Sequence, residues 1–154
     1  MPEVVVACQD PEIPRFTRVP SPYGEEDARS FIGEVLAGDA PGVQRAVVDA
    51  DGGELLGSVG VWPAHEWQVG EVGYWVAEPA RGRGVATRAV ELIAGLAFEE
   101  LDMVRVHLLI EPENAPSTRV AEKAGFTREG LLHSWSLING SWRDLYMFGL
   151  VGSR

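Results

Sequence analysis

The sequence predicts an α/β fold, a mixed and mostly antiparallel sheet flanked by helices. Three observations predict it. Two long stretches carry apolar residues at helical spacing, at residues 25–37 and 85–99. Three strand-like segments lie between them. The chain then closes on two alternating segments around Ile138-Asn139-Gly140, and Asn-Gly is the strongest short hairpin signal.

Taken in order, residues 2–9 are ambiguous. Three consecutive valines suit a strand, yet the segment also reads as the last part of a helix. Asp10-Pro11-Glu12-Ile13-Pro14 breaks it. Residues 25–37 place Ala28, Phe31, Ile32, Val35 and Leu36 on one helical face, and Gly38 ends the run. Residues 45–49 and 54–62 face each other across Ala50-Asp51-Gly52-Gly53, a hairpin turn by composition. A third strand spans 71–76 and stops at Glu78-Pro79. Residues 85–99 repeat Ala86, Ala89, Val90, Ile93, Leu96 and Ala97 at helical spacing. Residues 103–110 alternate, with Val104, Val106, Leu108 and Ile110 on one face. A short helix covers 116–124, and Gly125 suits a left-handed terminator. Strands at 127–137 and 141–150 complete the chain.

Size and composition bound the function. The 154 residues predict a single domain over 1–154, and 45% hydrophobic residues predict a folded core. Thirteen Lys+Arg against 23 Asp+Glu give a net charge of −10. Phosphate backbones and anionic lipids are held by cationic patches, so no nucleic acid and no membrane is expected as partner. The acidity is compatible with an amine substrate. The lone Cys8 makes no intrachain disulfide, and nothing at the start reads as a signal peptide, so a cytoplasmic location is expected. Cys8 and the three histidines lack ligand spacing, so no metal is expected. The five tryptophans are expected in the core or in a cleft wall.

The most informative run is Val76-Ala77-Glu78-Pro79-Ala80-Arg81-Gly82-Arg83-Gly84-Val85-Ala86. A strand ends, a glycine turn follows, and a helix begins at once. The first amides of a helix have no internal partner, and its dipole adds positive potential there. Glycines let a bulky anion come close to the main chain, so the turn suits a pyrophosphate. A P-loop is excluded because Gly-Lys-Ser/Thr is absent. A dinucleotide fingerprint is excluded because Thr87 stands where its third glycine belongs. Two readings stay open from spacing alone: an anion site, or a plain glycine-bearing helix start.

At this point the sequence resembles the GNAT superfamily of N-acetyltransferases. Its Arg/Gln-x-x-Gly-x-Gly/Ala signature is met by Arg81, Gly84 and Ala86. Downstream, Asn114-Ala115-Pro116-Ser117 and Glu122-Lys123-x-Gly125-Phe126 carry a second family feature. Glu71-Val72-Gly73-Tyr74-Trp75 and the terminal Asn139-Gly140-Ser141-Trp142-Arg143-Asp144-Leu145-Tyr146 are similar to the branch that acetylates ribosomal-protein N-termini. The resemblance covers nearly all of the chain from about Ala7. Cys8-Gln9-Asp10-Pro11-Glu12-Ile13 resembles the end of the family's first helix, so the usual first strand is expected to be lacking, either because the chain is truncated or because the sheet has a missing edge. An edge left open in that way invites pairing with another chain, and a homodimer contact is expected there.

The resemblance implies acetyl-CoA as cosubstrate and no metal. It implies that the main chain of Trp75 and Val76 pairs with the pantetheine arm. The run Arg81, Gly82, Arg83, Gly84, Val85 and Ala86 would then hold the pyrophosphate. Asn114 is read both as a helix cap and as a coenzyme contact. Ser117 is either a helix-start residue or, within the family pattern, the group that protonates the departing thiolate. Glu71, ten residues before Arg81, is the candidate base acting through water, against a plain exposed strand carboxylate. His107 reads as a packed residue, His65 as a loop residue open to substrate, His133 as a strand residue and Tyr146 as hairpin packing.

The resulting expectation is direct transfer of an acetyl group from acetyl-CoA to a primary amine, with a protein N-terminus as the leading acceptor. A polyamine or aminoglycoside is the competing small-molecule acceptor, and a non-catalytic acyl-CoA-binding module is the competing class. Cys8 has no evident activating partner, which argues against ping-pong chemistry. Specificity is expected in residues 10–23 and 62–70.

Overall fold

The fold was described from a computed structural model that covers residues 1–38, 40–65 and 68–153. The ambiguous first segment is helix α1 (Pro2–Ala7), with proline in its first turn, where a missing N–H costs nothing. A short helix α2 (Glu12–Phe16) follows. Helix α3 (Glu25–Ala37) keeps the expected bounds because both ends are chemically marked. The Asp27 carboxylate accepts the Gly24 N–H at 2.8 Å, and Gly38 closes the helix at φ +73°.

Six strands form one sheet in the order β1-β2-β3-β4-β6-β5. Their ranges are β1 (Val43–Val48), β2 (Leu55–His65), β3 (Val69–Val76), β4 (Arg105–Ile110), β5 (Thr127–Ile138) and β6 (Ser141–Val151). Neighbours are antiparallel except β3 and β4, which helix α4 (Val85–Glu99) connects as a crossover. The β5–β6 turn has Asn139 at φ +50° and Gly140 at φ +74°, the left-handed pair that a two-residue hairpin turn requires. Among the described residues no strand precedes α1, and β1 is the edge beside β2.

Helices α4 and α5 (Ala115–Lys123) cover one face of the sheet. Ala89, Val90, Ile93 and Ala97 of α4 and Ala121 of α5 share a core with Val61, Val72, Val106 and Phe148. Each fully buried Val or Ile there contributes about 1.5–3 kcal/mol. On the other face Cys8, Tyr23 and Ala28 pack together with Val4, Val5 and Trp75. Among the described residues no helix is long and apolar enough to cross a membrane.

Three expectations need correcting. Val104 lies before β4 and is 39% exposed, whereas Val106, Leu108 and Ile110 within the strand are buried in the core against α4. Residues 63–65 belong to β2 and not to a loop, while the His65 side chain, Glu66 and Trp67 lie outside the described residues. The tryptophans are not all core or cleft wall. Trp142 is 65% exposed on the β5–β6 hairpin, since that hairpin runs past the helices that would cover it.

Candidate active site

The site begins where two strands part. β3 and β4 share three rungs only: Val69 with Arg105, Gly70 with Val106, and Glu71 with His107. The middle rung is close, and a Cβ on Gly70 would stand 2.5 Å from Met103 Sδ. Beyond Glu71, β3 keeps its ladder with β2 as far as Val76 opposite Gly57, while β4 keeps its ladder with β6. The edges that face each other across the gap carry no mutual ladder. Unpaired main-chain groups of this kind need a partner, and an extended chain laid between them would supply one. The gap opens into a cleft of about 1240 Å³ lined by Glu71, Tyr74, Trp75, Asn114, Ser117 and Trp135, among others.

At the wide end of the gap lies the glycine turn. Gly82 and Gly84 adopt φ +71° and +78°, a conformation that favours glycine. A Cβ on either would meet nothing within 4 Å, so these positions are open above the main chain. Gly84 is the N-cap of α4 but supplies no side-chain cap, and the first turn holds no acidic residue. Helices α3 and α5, by contrast, have Asp27 and Asn114 at their starts. Among the described residues the amides of residues 82–87 make no hydrogen bond, and the first bond of the helix runs from Arg88 N–H to Gly84. Six free donors at a positive helix end form a main-chain cradle for an anion.

Successive β3 side chains alternate between the faces. Val72, Tyr74 and Val76 point to the α4 side, where Val76 packs with Leu56 and Ala80. Trp75 points to the α1–α3 side. Glu71 is on that second face, beside His107, with its Oε2 3.9 Å from Nε2. The His107 ring, together with the more distant Arg18 charge, holds the Glu71 carboxyl below its ordinary pKa, against the upward effect of burial. Ser117 is on the first face. Its amide donates to Asn114 Oδ1 at 3.2 Å, and its hydroxyl lies 2.9 Å from Tyr74 Oη. The carboxylate and the serine hydroxyl thus flank the gap from opposite faces of the sheet.

Residues 1–127 match the family model described as an acetyltransferase (GNAT) domain. The chain belongs to the GNAT acetyltransferase family. It is 30% identical to the uncharacterized N-acetyltransferase p20 of Bacillus licheniformis, over 95% of this chain and 85% of the relative. Among solved structures it is similar to a GNAT acetyltransferase from Bacillus anthracis, at TM-score 0.87 and 23% identity, covering 97% of this chain and 87% of that one. The ribosomal-protein-S5-alanine acetyltransferase of Vibrio fischeri gives TM-score 0.69 at 24% identity, covering 82% and 70%. The spermidine N-acetyltransferase of Vibrio cholerae, solved with CoA and spermine, gives 0.79 at 20% identity, covering 96% and 87%. At these identities the structural likeness is one of fold. With the family established, the chain is an acetyl-CoA-dependent N-acetyltransferase acting on an amine.

Within this GNAT chain the sequence-predicted residues fall as follows. Arg81 turns inward: its Nε donates to the Val76 carbonyl at 3.2 Å, and its Nη2 lies 2.5 Å from Asp10 Oδ2, close but poorly aligned for a hydrogen bond. The guanidinium therefore ties the turn to the α1–α2 segment. Arg83 stays 54% exposed, 3.8 Å from Asp49. Asn114 caps α5 through its oxygen, which leaves its amide N–H groups without a partner among the described residues. Cys8 is buried in the second core, and desolvation pushes its thiol up to about 11, so it is a poor nucleophile. Tyr146 packs on the core, edge-on to Phe148 at 6.3 Å. His133 is exposed and 3.1 Å from Asp144. Among the described residues no group of three His, Cys, Asp or Glu is placed to hold a metal.

Sequence reasoning did not single out Tyr74, which enters it only within the family-like run 71–75. His107 is buried, as expected of a packed residue, and the strand register sets it beside Glu71.

Proposed function

We propose that residues 1–154 form one catalytic domain that carries an acetyl group from acetyl-CoA to the α-amine of a protein N-terminus, by direct attack. The amides of residues 82–87 would hold the pyrophosphate, and the pantetheine arm would lie along β3 at Trp75 and Val76. The Asn114 amide would meet it further along. The single observation that carries this reading is the parting of β3 from β4 after the Glu71–His107 rung. It leaves a slot through the sheet with a carboxylate on one face and a hydroxyl on the other.

In this reading the thioester is held in the slot and the amine approaches from the α1–α3 face. Glu71 takes the amine proton through a water. The nitrogen attacks the carbonyl carbon, and the adduct collapses by loss of sulfur. Ser117, near the start of α5, donates to the leaving thiolate, where the helix-end amides also favour negative charge. The buried Cys8 takes no part.

The environment of Glu71 favours the acceptor named. A carboxyl held below its ordinary pKa is a weak base. At pH 7, freeing an α-amine of pKa about 8 costs about 1.4 kcal/mol, while an amine of pKa about 10.4 costs about 4.6. A polyamine or aminoglycoside acceptor would have to overcome that larger cost. We further propose that two copies associate along the β1 edge, where Val48 is 53% exposed and, among the described residues, no further strand covers the ladder.

The test is thiol release from acetyl-CoA across N-terminal peptides, polyamines and aminoglycosides. Peptides are expected to give the highest kcat/KM. Turnover of polyamines alone would overturn the acceptor assignment. CoA binding without turnover of any amine would favour a non-catalytic module.

A further inference from the structure

Tyr74 leaves β3 toward α4, and its ring packs among residues of both cores on that face. Its hydroxyl meets Ser117 Oγ at 2.9 Å, linking positions 43 apart in sequence. Neither hydroxyl has a second partner among the described residues, and both line the cleft. Either oxygen can donate, but chemistry sets the direction. A phenol, with pKa about 10, is far more acidic than an aliphatic alcohol, so Tyr74 Oη–H donating to Ser117 Oγ is the favoured arrangement. The serine hydrogen is then left free to point into the gap. Ser117 is held twice, its amide by Asn114 Oδ1 and its hydroxyl by Tyr74.

We propose that Tyr74 is a positioning residue for acyl transfer: its hydroxyl fixes the Ser117 rotamer and aims the serine proton at the departing sulfur. This rests on the acetyl-transfer reading above. When the adduct collapses, the carbon–sulfur bond breaks and its electron pair stays on sulfur. Sulfur takes the Ser117 proton, and Ser117 regains one from solvent, balancing the proton that the amine released through Glu71. Tyr74 keeps its own proton throughout, and burial, only partly offset by the bond to Ser117, raises its phenol above the ordinary value. A free serine hydroxyl samples three staggered rotamers, of which one suits the sulfur, so fixing it pre-pays orientation.

The experiment compares wild type, Tyr74→Phe, Ser117→Ala and the double variant in two readouts. The first is acetyl transfer. Tyr74→Phe is expected to lower kcat about 5- to 10-fold, the worth of one neutral hydrogen bond, with KM for acetyl-CoA nearly unchanged. In the Ser117→Ala background it should add nothing. The second readout needs no acceptor: the pKa of the thiol in bound CoA, followed by ultraviolet absorption of the thiolate. Ser117→Ala should raise it, Tyr74→Phe should raise it by part of that amount, and the double variant should match Ser117→Ala.

Tyr74→Phe indistinguishable from wild type in both readouts would overturn the proposal. So would effects that multiply in the double variant, because they would mean independent roles. Should Tyr74→Phe lose its fold, Ser117→Ala still decides: a CoA thiol pKa unmoved by it removes the group Tyr74 is said to aim. Failure of the acetyl-transfer reading looks different. Wild type would then shift the CoA thiol pKa through Ser117 and Tyr74 yet release no thiol with any amine.

Discussion

The Glu71 carboxylate stands 3.9 Å from His107 Nε2, across the last rung that β3 and β4 share. That separation is too long for a direct hydrogen bond. The two residues are 36 apart in sequence, and the parallel register alone brings them side by side.

The first prediction follows from that pair. Glu71 is held below its ordinary pKa, so it is already ionised at neutral pH. The rise of kcat/KM with pH should therefore follow the acceptor amine, levelling off above about 8 for an α-amine. Glu71→Gln should lower the plateau by about 10²-fold without moving that midpoint. Pre-steady-state and steady-state pH profiles of both proteins check this. A midpoint that moves with the substitution would assign the titration to Glu71.

Gly84 carries the second. Alanine there meets no atom within 4 Å, so the variant should fold, paying about 1–2 kcal/mol for a left-handed residue. Its methyl group would stand above the free amides and weaken CoA binding by about 10-fold or more, as loss of a charge-assisted hydrogen bond does. Calorimetric titration with CoA measures it, alongside thermal unfolding.

Cys8 supplies a negative control. With its thiol pushed up to about 11, the thiolate fraction at pH 7 is about 10⁻⁴. Cys8→Ser should keep kcat. Mass spectrometry of wild type incubated with acetyl-CoA should find no acetyl-enzyme, and initial-rate plots should intersect. Parallel lines with a trapped thioester would contradict direct transfer.

Arg105 and Glu129 form a bidentate pair joining β4 to β5, with Nη1 2.9 Å from Oε1 and Nη2 on Oε2. The Arg105 hydrogen bonds hold Glu129 below its ordinary pKa. Its contribution to stability is thus complete above the unfolded carboxyl value, about 4.3, and fades as pH falls through the lower folded value. Glu129→Gln should lower Tm at neutral pH and narrow the gap to wild type in strong acid. Gly149→Ala should mimic it, because a Cβ there would stand 2.5 Å from Arg105 Nη2 and 2.6 Å from Glu129 Oε1.

Much of this architecture was legible in the residues because the signals are local. Helix α3 has a capping carboxylate at Asp27 and a terminator at Gly38, and α4 follows a turn with two left-handed glycines. Their ends were therefore readable. The Asn139-Gly140 turn likewise sets its hairpin through two neighbouring φ angles. Val4, Val5 and Val6 were not readable, because β-branched residues serve either a strand or a docked helix, and the contacts of Val4 and Val5 with Cys8, Tyr23 and Ala28 decide it. The site was half visible. The glycine turn, Asn114 and Ser117 are contiguous motifs, whereas Tyr74–Ser117 and Glu71–His107 exist only once the sheet is assembled. Nor does any local pattern say that β3 and β4 separate after three rungs, since each strand keeps its other neighbour.

The most direct measurement of the central claim is a crystal structure of the chain with CoA. The account predicts the pyrophosphate on the amides of residues 82–87 and the pantetheine arm in the slot between β3 and β4, its sulfur within hydrogen-bond reach of Ser117. CoA seated outside the slot, or a sulfur remote from both Ser117 and Glu71, would contradict it.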